Sequence, residues 1–145
     1  IGKNEIRNAR KIFGAQPFVL APGTVNPSGR AVLADDGTYS LSGHWQFATG
    51  ICHADWVLLS GKVDGDETGT ARQFIVAVDD VVVKDTWHVD GMVATGSRDV
   101  VATNVMVPAH RVSLAPPPHL FARPGDPYLI RIPIAPFLSL TAATL

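Results

Sequence analysis

The sequence has one cysteine, little net charge and no long apolar run, and each of these features excludes a class of protein. Cys52 alone cannot form an intrachain disulfide, which is typical of a reducing compartment, so we expect a cytoplasmic protein. No apolar run reaches the roughly 18 residues of a membrane span, and residues 1–14 lack the apolar core of a signal peptide. The net charge of −1 argues against a surface that binds a polyanion. We therefore expect neither a membrane nor a nucleic acid as partner.

Several common site motifs are also missing. The chain has no GxSxG elbow, no GxxxxGK[ST] loop and no GxGxxG turn, which removes the usual signatures of hydrolases, nucleotide triphosphatases and Rossmann folds. Cys52 and His53 are adjacent, but no second Cys/His pair follows at the spacing of a zinc site. The sequence therefore predicts no metal site.

The length of 145 residues favours a single domain, and the two ends have an unusual composition. Residues 3–13 have the apolar spacing of a short amphipathic helix, and a second helix is expected to begin near Leu129. The chain starts at Ile1, in a charged, helix-like stretch, and stops in an apolar run. We expect it to be a piece of a longer protein.

Short strands dominate the middle of the chain. The stretch "GRAVLADDGTYSLSGHWQF" contains two apolar segments around Asp36-Gly37, which predicts a hairpin. Two more pairs of apolar segments follow, ending at "RDVVATNVMVP", and from Pro108 a proline-rich connector is expected. About six to eight strands without intervening helices predict an all-β fold, a closed or nearly closed antiparallel barrel over about residues 29–112.

Two small turns in this region carry hydroxyl groups. "FATG" ends a strand with Thr49 and Gly50, and "TGSRD" begins another with a hydroxyl-rich turn. Small residues let a ligand approach the backbone closely, although such turns are also common without any function. Trp45 and Phe47 are two apart on one strand, so an alternative role as core aromatics applies to at least one of them.

The order of longer motifs resembles a known family. "PSGRA", "DGTYSLSGHWQFATGICHADWVLL" and "DTWHVDGMVATGSRDVVATNVMVPAHRV" are similar to the middle domain of the acyl-CoA dehydrogenase superfamily over about residues 15–112. "FATG", "HADW", "DTWHVDGM" and "TGSRDV" are more similar to its branch of reduced-flavin-dependent monooxygenases. The resemblance implies three regions: residues 1–14 end an N-terminal helical domain, 15–112 form the flavin-facing barrel, and 113–145 are a connector and the start of a C-terminal helical domain.

The resemblance also implies a flavin cofactor, FMN or FAD, and assigns residues to it. Thr49 matches the family position near flavin N5, Ser97 and Arg98 are expected to reach phosphate or ribose, and Asp99 to hold Arg98 or the turn. His53 is the candidate catalytic residue, with an exposed histidine without function as the alternative. The complete cofactor-binding set is Phe47, Ala48, Thr49, Gly50, Thr95, Gly96, Ser97 and Arg98.

The function implied is hydroxylation of a small aromatic or heteroaromatic substrate, with flavin reduced by a separate reductase and a tetramer as the full-length form. One alternative is an FAD-dependent acyl-CoA dehydrogenase or oxidase that desaturates a CoA thioester. An alternative of another class is a non-catalytic all-β module that binds a ligand. In either flavoenzyme, this part of the chain alone is expected to be inactive because the other walls of the flavin site are missing.

Overall fold

The structure, a computed structural model, describes residues 20–114 and contains one seven-stranded sheet. Its other regular elements are 3₁₀ turns at Ile51–His53, Val78–Asp80, Val93–Thr95 and Ala109–Arg111. The expected helices at residues 3–13 and beyond Leu129, and the terminal regions that contain them, lie outside the described residues. In chain order the strands are β1 (Gly29–Leu33), β2 (Thr38–Ala48), β3 (Trp56–Val63), β4 (Arg72–Ala77), β5 (Val82–Lys84), β6 (Arg98–Pro108) and β7 (Val112–Leu114).

The sheet has the order β5-β6-β2-β1-β3-β4-β7. The all-β class and the expected six to eight strands are confirmed. The expectation of purely antiparallel pairing is wrong at one place, because β1 and β3 run parallel while the other neighbours are antiparallel. Within residues 20–114, β5 and β7 each pair with one neighbour, so no ladder between them closes the sheet.

The hairpin predicted at Asp36-Gly37 is present as the antiparallel pair of β1 and β2. At the turn between β1 and β2, Asp36 accepts hydrogen bonds from the backbone N–H and the hydroxyl of Thr38, at 2.9 and 2.6 Å. Gly37 has a φ of 81°, a left-handed conformation that glycine adopts without a steric cost. The expected connector after Pro108 is wrong in part, because β7 lies within it and pairs with β4.

The core is centred on Trp45, whose indole is 1% exposed. Its N–H donates to the carbonyl of Ser60 at 2.7 Å, which satisfies the polar atom of a buried ring. The ring lies against Gly43 of its own strand and Gly29 of β1: a Cβ on Gly43 would come within 2.8 Å of both the Trp45 Cη2 atom and the Cα of Gly29. Glycine at these positions therefore makes room for the indole.

The end of β2 departs from regular alternation. Tyr39, Leu41 and Trp45 are buried at two- and four-residue spacing, but Phe47 is 63% exposed and has a φ of 61°. The ladder with β6 shifts between the pairs Trp45↔Val100 and Ala48↔Arg98, so Gln46 and Phe47 stand opposite the single residue Asp99. Such a β-bulge reverses the face of every following side chain. Phe47 is thus turned out of the core, and the core-aromatic alternative holds for Trp45 alone.

Candidate functional site

The bulge brings the two predicted hydroxyl-rich segments together. Ala48 pairs with Arg98 at the end of the β2–β6 ladder, and the backbone N–H of Gly50 donates to the carbonyl of Thr95 at 2.8 Å. Residues 47–50 and 95–98 are far apart in sequence but form one surface in the fold. Antiparallel pairing places the end of one strand beside the start of the other, so this meeting follows from the topology.

Three hydroxyl groups form a chain across this surface. Thr49 Oγ1 lies 3.0 Å from Ser97 Oγ, which lies 2.9 Å from Thr95 Oγ1, and Thr95 Oγ1 donates to the carbonyl of Met92 at 2.9 Å. Each hydroxyl has one proton, and a carbonyl only accepts. With the proton of Thr95 at Met92, Ser97 donates to Thr95 and Thr49 donates to Ser97. In the reverse order, Thr95 donates to Ser97, Ser97 to Thr49, and Thr49 to the carbonyl of Phe47, 3.5 Å away. Both orders direct the proton of Thr49 into the protein. The exposed oxygen of Thr49 is left as an acceptor at the open end of the chain.

An aromatic surface lies beside the hydroxyl chain. The exposed ring of Phe47 contacts Trp87 edge to face, with ring centroids 6.2 Å apart and an interplanar angle of 78°. The indole N–H of Trp87 donates to the carbonyl of Met92 at 3.2 Å, the same carbonyl that anchors the hydroxyl chain. Trp87 was not among the predicted site residues; it lies in the loop after β5, which ends at Lys84. The available signal was the motif DTWHVDGM, which contains Trp87.

His53 lies next to this surface, in the 3₁₀ turn that follows Gly50. With Thr49 and Gly50 it lines a hollow of about 320 Å³, whose other wall is formed by residues 20–22. Its side chain is exposed, as is the thiol of the adjacent Cys52. The proximity of His53 to Thr49 is compatible with a role on a substrate, and that role stays a prediction.

Charged groups surround the β6 end of the site. Arg98 forms an ion pair with Asp85 at 3.0 Å, while the carboxylate of Asp99 lies 2.8 Å from Nε2 of His44. Asp99 was expected to hold either Arg98 or the turn, and the first of these is wrong, because Arg98 pairs with Asp85 and neighbouring residues of a strand point to opposite faces. The guanidinium of Arg98 is already paired, so a phosphate bound there would share it with Asp85. Within residues 20–114, no three His, Cys, Asp or Glu side chains gather as a metal site.

The eight predicted cofactor-binding residues differ in their exposure to solvent. Phe47 and Thr49 are exposed, whereas Ala48 and Ser97 are buried, and the remaining four are half-buried. Ala48 therefore contributes through its position in the ladder, and Ser97 through its hydroxyl bonds to Thr49 and Thr95. A flat exposed ring next to a hydrogen-bond acceptor is suited to a planar, partly polar molecule.

Comparisons with known proteins find relatives of this chain among hydroxylases. No protein-family model matches the chain. It is 37% identical over 103 residues to the pigment production hydroxylase of a Rhodococcus species, and the aligned region covers 70% of this chain and 26% of that protein. It is 35% identical over 107 residues to the oxygenase component of an FADH₂-dependent resorcinol hydroxylase from a Rhizobium species, with coverages of 72% and 26%.

Solved structures resemble the fold as well. The Streptomyces protein XiaF, determined in complex with FADH₂ and glycerol, superposes with a TM-score of 0.68 and 36% identity over 75% of this chain and 28% of that one. The chain thus spans about a quarter of the length of the curated relatives it matches. In the described residues, no helix is long and apolar enough to cross a membrane.

Proposed function

We propose that the chain forms the flavin-facing part of an oxygenase, because it belongs to the flavin-dependent two-component aromatic monooxygenases with the acyl-CoA dehydrogenase-like fold. The protein would hydroxylate a small aromatic or heteroaromatic substrate, using FAD or FMN reduced by a separate reductase. The relatives named above are hydroxylases, which supports this function over acyl-CoA desaturation and over a non-catalytic β-module. A cytoplasmic location and a tetrameric full-length form remain part of the proposal.

The observation that carries the proposal is the single surface formed by the exposed ring of Phe47 and the open end of the hydroxyl chain. A reduced flavin is a flat ring system with N–H groups at its edge, so an aromatic face beside a hydrogen-bond acceptor fits it. The acceptor is Thr49 Oγ1, because its proton is directed either toward Ser97 or toward the carbonyl of Phe47 and not toward the open surface. The aromatic face and the acceptor of this surface therefore suit the reduced cofactor.

When bound, reduced flavin would supply the electrons that activate oxygen for hydroxylation of the substrate ring. Phe47 would contact the ring system, Thr49 would accept a hydrogen bond from it, and Ser97 and Thr95 would hold the Thr49 hydroxyl in its orientation. Arg98 would attract the cofactor's phosphate while it retains Asp85. His53 would act on the substrate from the hollow beside Thr49, as a base for a phenolic proton.

The test is a comparison of two reactions in the full-length protein. Reduced FAD or FMN is supplied by a separate flavin reductase together with oxygen and a set of phenols and indoles, and oxygen uptake and hydroxylated product are measured. We expect hydroxylation that depends on the reductase. In parallel, the protein is offered acyl-CoA thioesters with an artificial electron acceptor. Desaturation in this second assay without hydroxylation in the first would refute the proposal.

A further inference from the structure

The carboxylate of Asp99 is a buried charge that the proposed function does not use. Asp99 is 6% exposed and lies on β6, directly opposite the two bulged residues of β2. Its carboxylate is 2.8 Å from Nε2 of His44, and the distance fits a charge-assisted hydrogen bond. A buried carboxylate is costly unless it is paired, so the His44 ring stabilises Asp99 where it is.

Both partners of this pair are themselves held in place. The hydroxyl of Ser28 donates to the carbonyl of His44 at 2.8 Å, just before β1 begins. The backbone N–H of Asp99 donates to Oγ1 of Thr86 at 3.1 Å, in the loop that also carries Trp87. Asp99 therefore connects β6 to the bulged strand on one side and to the loop under the aromatic surface on the other.

The bulge needs such a connection. Phe47 adopts a left-handed φ of 61°, which is unfavourable for a residue with a Cβ and persists only when the surroundings enforce it. The ladder bonds are interrupted at this point, since two residues oppose one. The His44–Asp99 hydrogen bond crosses diagonally between the two strands, from two residues before the bulge to the residue that faces it, and so ties the interrupted part of the ladder to its regular part.

We propose that Asp99 and His44 are positioning residues that fix the bulge, and through it orient Phe47 and Thr49 toward the ligand of this surface. The proposal rests on the proposed function for the identity of that ligand, a reduced flavin. Neither side chain is assigned a contact with the ligand. Their effect is to keep the exposed ring and the hydroxyl chain in one arrangement before the ligand binds, which lowers the ordering cost of binding.

The first measurement needs no flavin. In the full-length protein without cofactor, we expect His44→Ala to speed amide hydrogen exchange of the segment 46–50 about tenfold, the size allowed by loss of one charge-assisted hydrogen bond. His44→Gln retains a donor that can reach Asp99, so it should restore most of the protection. Because His44 is more than half exposed, these variants are expected to fold; Asp99→Asn, which keeps the shape of the buried group, provides a second route to the same test.

The second measurement is the dissociation constant for reduced FAD or FMN under anaerobic conditions. His44→Ala should raise it about tenfold, and His44→Gln should bring it back near the wild-type value. The matched control is Arg30→Ala, which breaks the exposed ion pair of Arg30 with Asp64, just after β3, at 3.1 Å and away from the bulge. It should change neither exchange of segment 46–50 nor flavin binding.

The outcomes separate the inference from the proposed function. If His44→Ala and Asp99→Asn lower the melting temperature but leave exchange at 46–50 unchanged, the pair is only structural and the inference is wrong. If exchange responds as expected but the wild-type protein binds no flavin, positioning of the bulge stands and the proposed function fails. Equal loss of binding in His44→Ala and His44→Gln would also overturn the inference, because the donor would then be irrelevant.

Discussion

Replacing Thr49 with Val tests whether the open end of the hydroxyl chain faces the chemistry. Valine keeps the branched shape and removes the hydroxyl, which lies 3.0 Å from Ser97 Oγ. Ser97 keeps its second partner, Thr95, at 2.9 Å, so no buried polar group is left unpaired. The free energy of unfolding should therefore fall by less than about 1 kcal/mol.

The effect on the cofactor should be larger than the effect on stability. Thr49→Val removes the acceptor proposed for reduced flavin, and the loss of one hydrogen bond of about 1 kcal/mol raises the dissociation constant about fivefold. Coupling should suffer as well, because a ring that is less well held allows oxygen to be reduced without hydroxylation. The assay is hydrogen peroxide released per hydroxylated product, measured in the full-length protein with a separate reductase. In a dehydrogenase the same change would slow flavin reduction.

The control is Cys52→Ser, three residues along the same segment. The thiol of Cys52 is exposed and we assign it no role in the reaction, so this variant should bind flavin and couple like the wild type. The reasoning would be refuted if Thr49→Val left coupling and flavin binding unchanged while Cys52→Ser abolished activity. Cys52, and not Thr49, would then be the residue of "FATGICHADW" that faces the chemistry.

Two other predictions concern the sheet itself. Gly43→Ala would place a Cβ 2.8 Å from the Trp45 ring and should lower the free energy of unfolding, measured by urea denaturation, by about 1–3 kcal/mol. The control is Gly91→Ala, which should be nearly neutral because no atom lies within 4 Å of the added Cβ. Equal effects of the two substitutions would contradict the packing argument. The Thr68 hydroxyl, followed by Arg72, lowers the pKa of Asp66 from 3.8 to about 2. The contribution of the ionised Asp66 carboxylate to stability is thus complete above about pH 4 and is lost as the pH falls toward 2. The stability difference between wild type and Asp66→Asn should shrink over that range, and a constant difference would show that the carboxylate is not stabilised in the fold.

The hairpins and the two site segments could be predicted from local sequence. Asp36-Gly37 between alternating apolar residues specifies a tight turn, and the turn then brings β1 and β2 together. The hydroxyl-rich turns at Thr49 and Ser97 were visible as motifs, and antiparallel pairing of the strands that carry them placed them side by side. The resemblance to flavin-dependent monooxygenases added the cofactor, which no spacing of residues in this chain could have identified.

What the tertiary structure alone decided is the direction in which the site residues face. Strict alternation along β2 would have buried Phe47 with Trp45, and only the register of β6 creates the bulge that turns Phe47 outward. The pairing of Asp99 with His44 depends on that same register, 55 residues apart in the chain. The parallel pairing of β1 with β3 likewise has no local signal. Sequence patterns report which residues prefer burial or turns, whereas register and facing depend on contacts between distant strands, and those are settled only when the sheet assembles.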